Sequence, residues 1–120
     1  MNPLKVLFVC ALNKWRSPTA EAIYRNDPRL EVRSAGIRSA AKRRLTAEDL
    51  ESADVVFSMV QEHKTFMVEE FRDLDLPPII VLEIADNFGY MSAELQEVLR
   101  TSIDAELEVF IPKEKSDLDG

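Results

Sequence analysis

The sequence predicts an α/β fold, in which a four-stranded parallel sheet is flanked by helices. Two observations support this prediction. Short apolar runs alternate along the chain with stretches of helical periodicity, in the strand–helix order that is typical of a parallel sheet. The third and fourth runs are almost continuously apolar, as expected for strands covered on both faces. A length of 120 residues, of which 46% are hydrophobic, suits one domain with an ordinary core.

The predicted elements follow one another without a linker or an internal repeat. The strands are expected in the runs VLFV (6–9), LEVRSA (30–35), DVVFSMV (54–60) and PIIVLEI (78–84). Helices are expected from SPTAEAIYRN, LTAEDLESA, QEHKTFMVEEFRDL and MSAELQEVLRTSIDAELEVF, with starts marked by Ser17 before Pro18, by Thr46 and by Ser92. Helical spacing gives the last two an apolar face each, formed by Phe66, Met67, Phe71 and Leu74 and by Leu95, Val98, Leu99, Ile103 and Leu107.

Composition narrows the class of protein. We expect a single domain over residues 1–111, followed by a frayed charged tail at 112–120. No apolar run is long enough to cross a membrane, and no signal peptide is evident, so a cytoplasmic protein is expected. The net charge of −7 disfavours nucleic acid as a partner. The segment 33–44 is nevertheless basic, and is interpreted either as an anion-attracting patch or as a solvated loop.

The only cysteine, Cys10, ends the first strand, and Arg16 follows six positions later at the start of a helix. In a parallel sheet, the intervening loop lies in the crevice where ligands bind. Unpaired amide groups at a helix start attract anions, and a guanidinium binds two oxygens together. We therefore predict a phosphate-binding loop between strand 1 and helix 1, formed by Ala11, Leu12, Asn13, Lys14, Trp15, Arg16 and Ser17.

The same surroundings favour the thiolate form of Cys10, which the Ser17 hydroxyl would also stabilise. A thiolate below a bound phosphate is placed for in-line attack on phosphorus. A general acid must then protonate the leaving group, and Asp86, just after strand 4, is the candidate. The reaction requires no cofactor, and no cluster of metal-ligating residues is apparent.

The segment VCALNKWRSPTAEA resembles the signature of the low-molecular-weight protein tyrosine phosphatases, Cys-x5-Arg-Ser/Thr followed by Pro-x-Ala-Glu. The similarity continues through VRSAG (32–36), RRLTAEDLESADVVFSM (43–59) and Asp86. The resemblance implies that Cys10 is the nucleophile, Arg16 the phosphate clamp and Asp86 the general acid. It also implies that Ser17 is the partner of the thiolate and that Asn13 closes the loop with a left-handed turn.

The sequence departs from that family at several positions. Leu12 replaces a glycine, Trp15 replaces a second cysteine, and Asn87 replaces the proline after the acid; the segment after VRSAG is also short. The family often places an aromatic that stacks on the substrate in that segment, and Trp15, Phe88 or Tyr90 could supply a replacement aromatic rim.

The resemblance implies a cytoplasmic phosphatase that hydrolyses phosphotyrosine, in a protein or as a small aryl phosphate, through a cysteinyl-phosphate intermediate. The alternatives are a catalytically weakened module that binds phosphate or phosphopeptides, and an arsenate reductase, which would need further cysteines. Each catalytic candidate also has a purely structural interpretation. Cys10 would then be a buried core thiol, Arg16 a surface base and Asp86 an ordinary loop acid. His63 is interpreted as solvated surface. No membrane partner is expected, and nothing in the sequence predicts an oligomeric state.

Overall fold

Along residues 2–111, which the computed structural model describes, four strands and four helices alternate as the sequence predicts. The predicted tail at 112–120 lies outside the described residues. The elements are β1 (Leu4–Cys10), α1 (Arg16–Tyr24), β2 (Leu30–Gly36), α2 (Ala47–Ser52), β3 (Val55–Ser58), α3 (Gln61–Glu70), β4 (Ile79–Val81) and α4 (Ala93–Phe110). No helix in this part of the chain is sufficiently long and apolar to cross a membrane.

The strands form one parallel sheet in the order β2-β1-β3-β4, so that β1 is central. Side chains of β1 alternate between its two faces, as the pleat requires. Val6, Phe8 and Cys10 belong to the core that includes α1 and α4, whereas Leu7 and Val9 belong to the core that includes α2 and α3. The end of β1 that carries Cys10 is thus fixed by hydrophobic packing on both faces of the strand. Such packing is the main stabilising contribution to a fold of this kind.

The predicted boundaries were wrong in places, for local reasons. Helix α1 begins at Arg16 rather than at Ser17, and it has no side-chain cap, because its N-cap residue is Trp15, whose indole can only donate. Strand β4 ends at Val81, because Glu83 has a φ of 58° and cannot continue an extended strand. Helix α3 ends at Glu70, before the end of the predicted stretch.

The predicted starts of α2 and α4 are confirmed. Thr46 forms a capping box with Asp49, and the Ser92 hydroxyl accepts a hydrogen bond from the Leu95 amide. The apolar face of α4 is narrower than predicted. Its buried positions are four residues apart, and Val98 lies beside that line with 37% of its surface exposed.

Candidate active site

The loop between β1 and α1 is held by the segment that follows β2. Amide groups of this segment donate to carbonyl groups at the end of β1 and in the loop, at 2.9–3.1 Å; the pairs are Ile37 to Cys10, Arg38 to Ala11 and Lys42 to Leu12. The backbone path of residues 10–12 is therefore fixed from outside. The loop lies at the carboxyl end of the sheet, beside the start of α1, whose first amide groups have no partner within the helix.

Cys10 is buried, with 3% of its surface exposed, and two hydrogen-bonding groups approach its sulfur. Its Sγ lies 2.9 Å from Ser17 Oγ, and the Asn13 amide N–H donates to it at 3.2 Å. Asn13 has a φ of 55°, the left-handed turn that was predicted there and that asparagine tolerates. This turn directs the Asn13 amide back toward the sulfur.

Polar side chains below the loop form a continuous network. Asn13 Nδ2 donates to both Ser17 Oγ and Ser34 Oγ at 2.9 Å. Ser34 Oγ donates to Glu21 Oε1 at 2.6 Å. The sequence interpretation did not single out Ser34 or Glu21, although both lie inside the motifs that carried the resemblance, VRSAG and Pro-x-Ala-Glu.

Arg16 is almost completely buried beside the loop. Its Nη1 donates to the Ile84 carbonyl at 2.9 Å. Asp86 Oδ1 lies 3.7 Å from Arg16 Nε, and half of the Asp86 side chain is exposed. The structure thus brings together Cys10 from the end of β1, Arg16 from the start of α1 and Asp86 from the segment after β4.

These three residues line one depression together with Leu12, Lys14 and Trp15. Trp15 is 40% exposed at its rim, and Lys14 Nζ lies 6.0 Å from the centre of the Trp15 ring. Phe88 packs against the core instead, and Tyr90 lines a neighbouring open pocket of about 520 Å³. Of the three aromatic candidates, Trp15 is the one placed at this depression.

Gly36 permits the loop to approach β2 closely. A Cβ at this position would lie 2.7 Å from the Ala11 carbonyl oxygen and 2.9 Å from the Asn13 amide nitrogen. Both atoms belong to the backbone of the loop, so they cannot move aside without changing its shape. The requirement explains why a residue without a side chain ends β2.

The interpretation of His63 as solvated surface was wrong. His63 is 1% exposed, and its Nδ1 accepts a hydrogen bond from the Val60 amide at 3.4 Å. Burial lowers its pKa to about 4, and the nearby cations of Arg16 and Arg38 act in the same direction. The imidazole is therefore neutral near pH 7. Its position at the start of α3 gave no sign of burial, because its sequence neighbours are polar.

Part of the basic segment 33–44 has a structural role. Arg43 binds the carboxylate of Asp49 and donates to the Ser34 carbonyl at 2.9 Å. Burial raises the pKa of Asp49, but hydrogen bonds from Arg43 and Thr46 lower it by more. Within residues 2–111, no group of three or more histidine, cysteine, aspartate or glutamate side chains is arranged to hold a metal ion.

Comparison with known proteins agrees with this fold and loop. The protein-arginine-phosphatase of Bacillus subtilis (strain 168) is 30% identical over 95 residues, which correspond to 57% of this chain and 63% of that protein. The chain therefore spans somewhat less than two thirds of this curated relative. No protein-family model matches the chain.

Two solved structures illustrate the likeness in three dimensions. The YwlE arginine phosphatase from Geobacillus stearothermophilus is 26% identical, with a TM-score of 0.66 over 93% of this chain and 99% of that one. A low-molecular-weight protein tyrosine phosphatase from Streptococcus pyogenes, 16% identical, shares the fold with a TM-score of 0.73 over 97% of both chains. The chain is thus similar in sequence and fold to phosphatases of the low-molecular-weight type, whose loop motif it resembles.

Proposed function

We propose that this chain is a cysteine-dependent phosphatase that hydrolyses phosphotyrosine and other aryl phosphate monoesters. One observation carries the proposal: the Cys10 sulfur accepts a hydrogen bond from the Asn13 amide and contacts the Ser17 hydroxyl. Cys10 lines the same depression as Arg16 and Asp86. Hydrogen-bond donors and a cation around a sulfur favour its thiolate form, which is the nucleophilic one.

In the first step, the Cys10 thiolate attacks phosphorus from the side opposite the ester oxygen. The S–P bond forms as the O–P bond breaks, and Asp86 gives its proton to the departing phenolate oxygen. Amide groups of the loop and the edge of Arg16 that contains Nε and Nη2 would hold the three remaining phosphate oxygens. Arg16 is positioned for this role because Ile84 anchors its other nitrogen.

In the second step, the Asp86 carboxylate accepts a proton from water, whose oxygen attacks the phosphorus. The S–P bond breaks, inorganic phosphate forms, and Cys10 leaves as a thiolate with Asp86 protonated again. The Ser17 hydroxyl, 2.9 Å from the sulfur, stabilises the negative charge that returns to Cys10.

The residues at the rim of the depression favour a substrate with an aromatic leaving group. Trp15 offers an exposed indole on which a phenyl ring can stack, and Lys14 adds a positive charge beside it. A phosphorylated guanidino group is a second candidate, because the curated relative is named an arginine phosphatase. A cationic leaving group is disfavoured beside Lys14, whereas the phenolate oxygen of phosphotyrosine develops negative charge there.

Turnover of p-nitrophenyl phosphate in the presence of a metal chelator tests the proposal. We expect measurable hydrolysis, inhibition by vanadate, and no turnover by Cys10→Ser, with phosphate binding retained. Asp86→Asn should lower kcat by about two to four decades, most for poor leaving groups, whereas Asp75→Asn should not change it. Binding of an aryl phosphate without turnover at any pH would instead support the phosphate-binding module.

Matched peptides that carry phosphotyrosine or phosphoarginine decide between the two substrates. The proposal predicts the larger kcat/KM for phosphotyrosine, and Lys14→Gln, which removes the positive charge, should narrow the difference. A larger kcat/KM for phosphoarginine would transfer the assignment to the second candidate. Arsenate reduction is disfavoured, because Cys10 is the only cysteine of the chain and no other can relay the oxidation.

A further inference from the structure

The hydrogen-bond network below the loop ends at a carboxylate, and this end fixes which group donates in each hydrogen bond. Glu21, one turn of α1 after Ser17, accepts a hydrogen bond from Ser34 Oγ at 2.6 Å. An ionised carboxylate has no proton to give, so the Ser34 hydroxyl must be the donor. Its oxygen is then available only as an acceptor toward Asn13.

The direction passes through Asn13 to Ser17. The Asn13 amide nitrogen carries two hydrogens, and it lies 2.9 Å from both Ser34 Oγ and Ser17 Oγ. Because Ser34 accepts one hydrogen, the Asn13 side chain is oriented with its nitrogen toward both hydroxyl groups. Ser17 Oγ therefore accepts the second hydrogen and must direct its own proton elsewhere.

Two acceptors compete for the Ser17 proton. The Cys10 sulfur lies at 2.9 Å, whereas the Ala35 carbonyl oxygen lies at 3.5 Å, the limit of a hydrogen bond. The sulfur is the nearer acceptor and, when ionised, the stronger one.

We propose that Glu21 is a positioning residue, which acts through Ser34, Asn13 and Ser17 to keep the Ser17 hydroxyl donating to Cys10. Without an acceptor-only group at its end, the network can run in the opposite direction, with Ser17 donating to Asn13 after its amide turns over. The sulfur would then lose one of its two donors. The inference deepens the proposed function, on which its catalytic meaning rests.

Charged groups other than Glu21 surround the two ends of the network. Lys14, Lys42 and Arg43 line the open pocket that also contains Glu21, Ser34 and Tyr90. Arg16, Asp86 and Lys14 line the depression at Cys10. A change at Glu21 therefore removes a negative charge as well as an acceptor, and the test must separate these two effects.

The test measures the rate at which iodoacetate alkylates Cys10 against pH, in full-length protein without substrate. In Glu21→Gln, which can donate as well as accept, the midpoint of that profile should move upward by about one to two units, since the ionised sulfur would lose a hydrogen bond. Glu21→Asp retains an acceptor-only carboxylate and should move the midpoint less. Glu97→Gln on α4 is the matched control and should leave the profile unchanged.

A double-mutant cycle separates the network from the charge. In a Ser17→Ala background, Glu21→Gln should have no further effect on the midpoint, because the hydroxyl through which Glu21 acts is absent. Equal effects in both backgrounds would overturn the proposal in favour of a direct charge effect, and so would an unchanged profile in Glu21→Gln. Ser34→Ala, which interrupts the same network, gives the equivalent test if Glu21→Gln fails to fold.

The alkylation profile does not require turnover. Failure of p-nitrophenyl phosphate hydrolysis would therefore reject the proposed function and leave this test valid. In an active enzyme, Glu21→Gln should lower kcat about tenfold with little change in KM, because the loop amides that bind phosphate are not altered.

Discussion

Acidification should destabilise the fold through His63 before it affects the carboxylates. The pKa of this buried imidazole is lowered to about 4, because burial and the cations of Arg16 and Arg38 oppose its protonation. The unfolded chain has an ordinary histidine, with a pKa of about 6.5. As pH falls through this interval, the unfolded state takes up a proton that the folded state does not, so stability decreases.

The magnitude follows from the difference between the two pKa values. At about 1.4 kcal/mol per unit, an interval of roughly 2.5 units corresponds to about 3 kcal/mol lost between pH 6.5 and pH 4. The effect should fade above pH 7, as the histidine of the unfolded chain also becomes neutral. The pKa of Asp49 is lowered, so its stabilising contribution is present above its unfolded pKa of about 3.9 and is lost at lower pH.

Urea denaturation at several pH values between 7.5 and 4 measures this prediction. His63→Gln should be less stable at pH 7.5 but should lose much less stability over the same range, whereas Asp49→Asn should retain the wild-type slope. His63 is the only histidine of the chain, so the proton NMR signal of its ring reports its titration directly. A midpoint near 6.5, or equal slopes in wild type and His63→Gln, would refute the reasoning.

Three further substitutions test the packing around the loop and between helices α1 and α4. Gly36→Ala should lower the free energy of unfolding by about 1–3 kcal/mol and should lower kcat/KM at least tenfold, because its Cβ would meet the loop backbone. Gly89→Ala is the control for both measurements, because a Cβ at that position would have nothing within 4 Å. Asn13→Ala should lower kcat for p-nitrophenyl phosphate at least tenfold, since it removes two hydrogen bonds and strains the left-handed turn, and unchanged kinetics would contradict the network. Tyr24→Phe removes a 2.6 Å hydrogen bond to an α4 carboxylate, and should cost about 1–2 kcal/mol in chemical denaturation while leaving kcat unchanged.

The order of elements could be predicted because each has a strong local signal. The continuous apolar run of β3 and the Thr46 capping box of α2 both appear in the structure where the sequence indicates them. The short, charged run of β2 gave the weakest signal, yet Leu30–Gly36 pairs with β1 along its whole length. Tertiary pairing with a central strand compensated for its weak propensity.

The position of the candidate site could be predicted from the sequence, but the residues that hold its side chains in place could not. The spacing from Cys10 to Arg16 and the position of Asp86 after an apolar run brought all three to one depression. The burial of His63 and the link between Glu21 and Ser34 depend on contacts between distant elements. Periodicity along the sequence does not report such contacts, because a polar residue that is buried and one that is solvated have the same local pattern.

Alkylation of wild-type Cys10 by iodoacetate across pH, with and without inorganic phosphate, tests the central claim most directly. The account predicts rapid inactivation at pH 6, where an ordinary thiol is almost wholly protonated, and protection that increases with phosphate concentration. Inactivation that follows an ordinary thiol, half-ionised near pH 8.5, and that phosphate does not slow would contradict it.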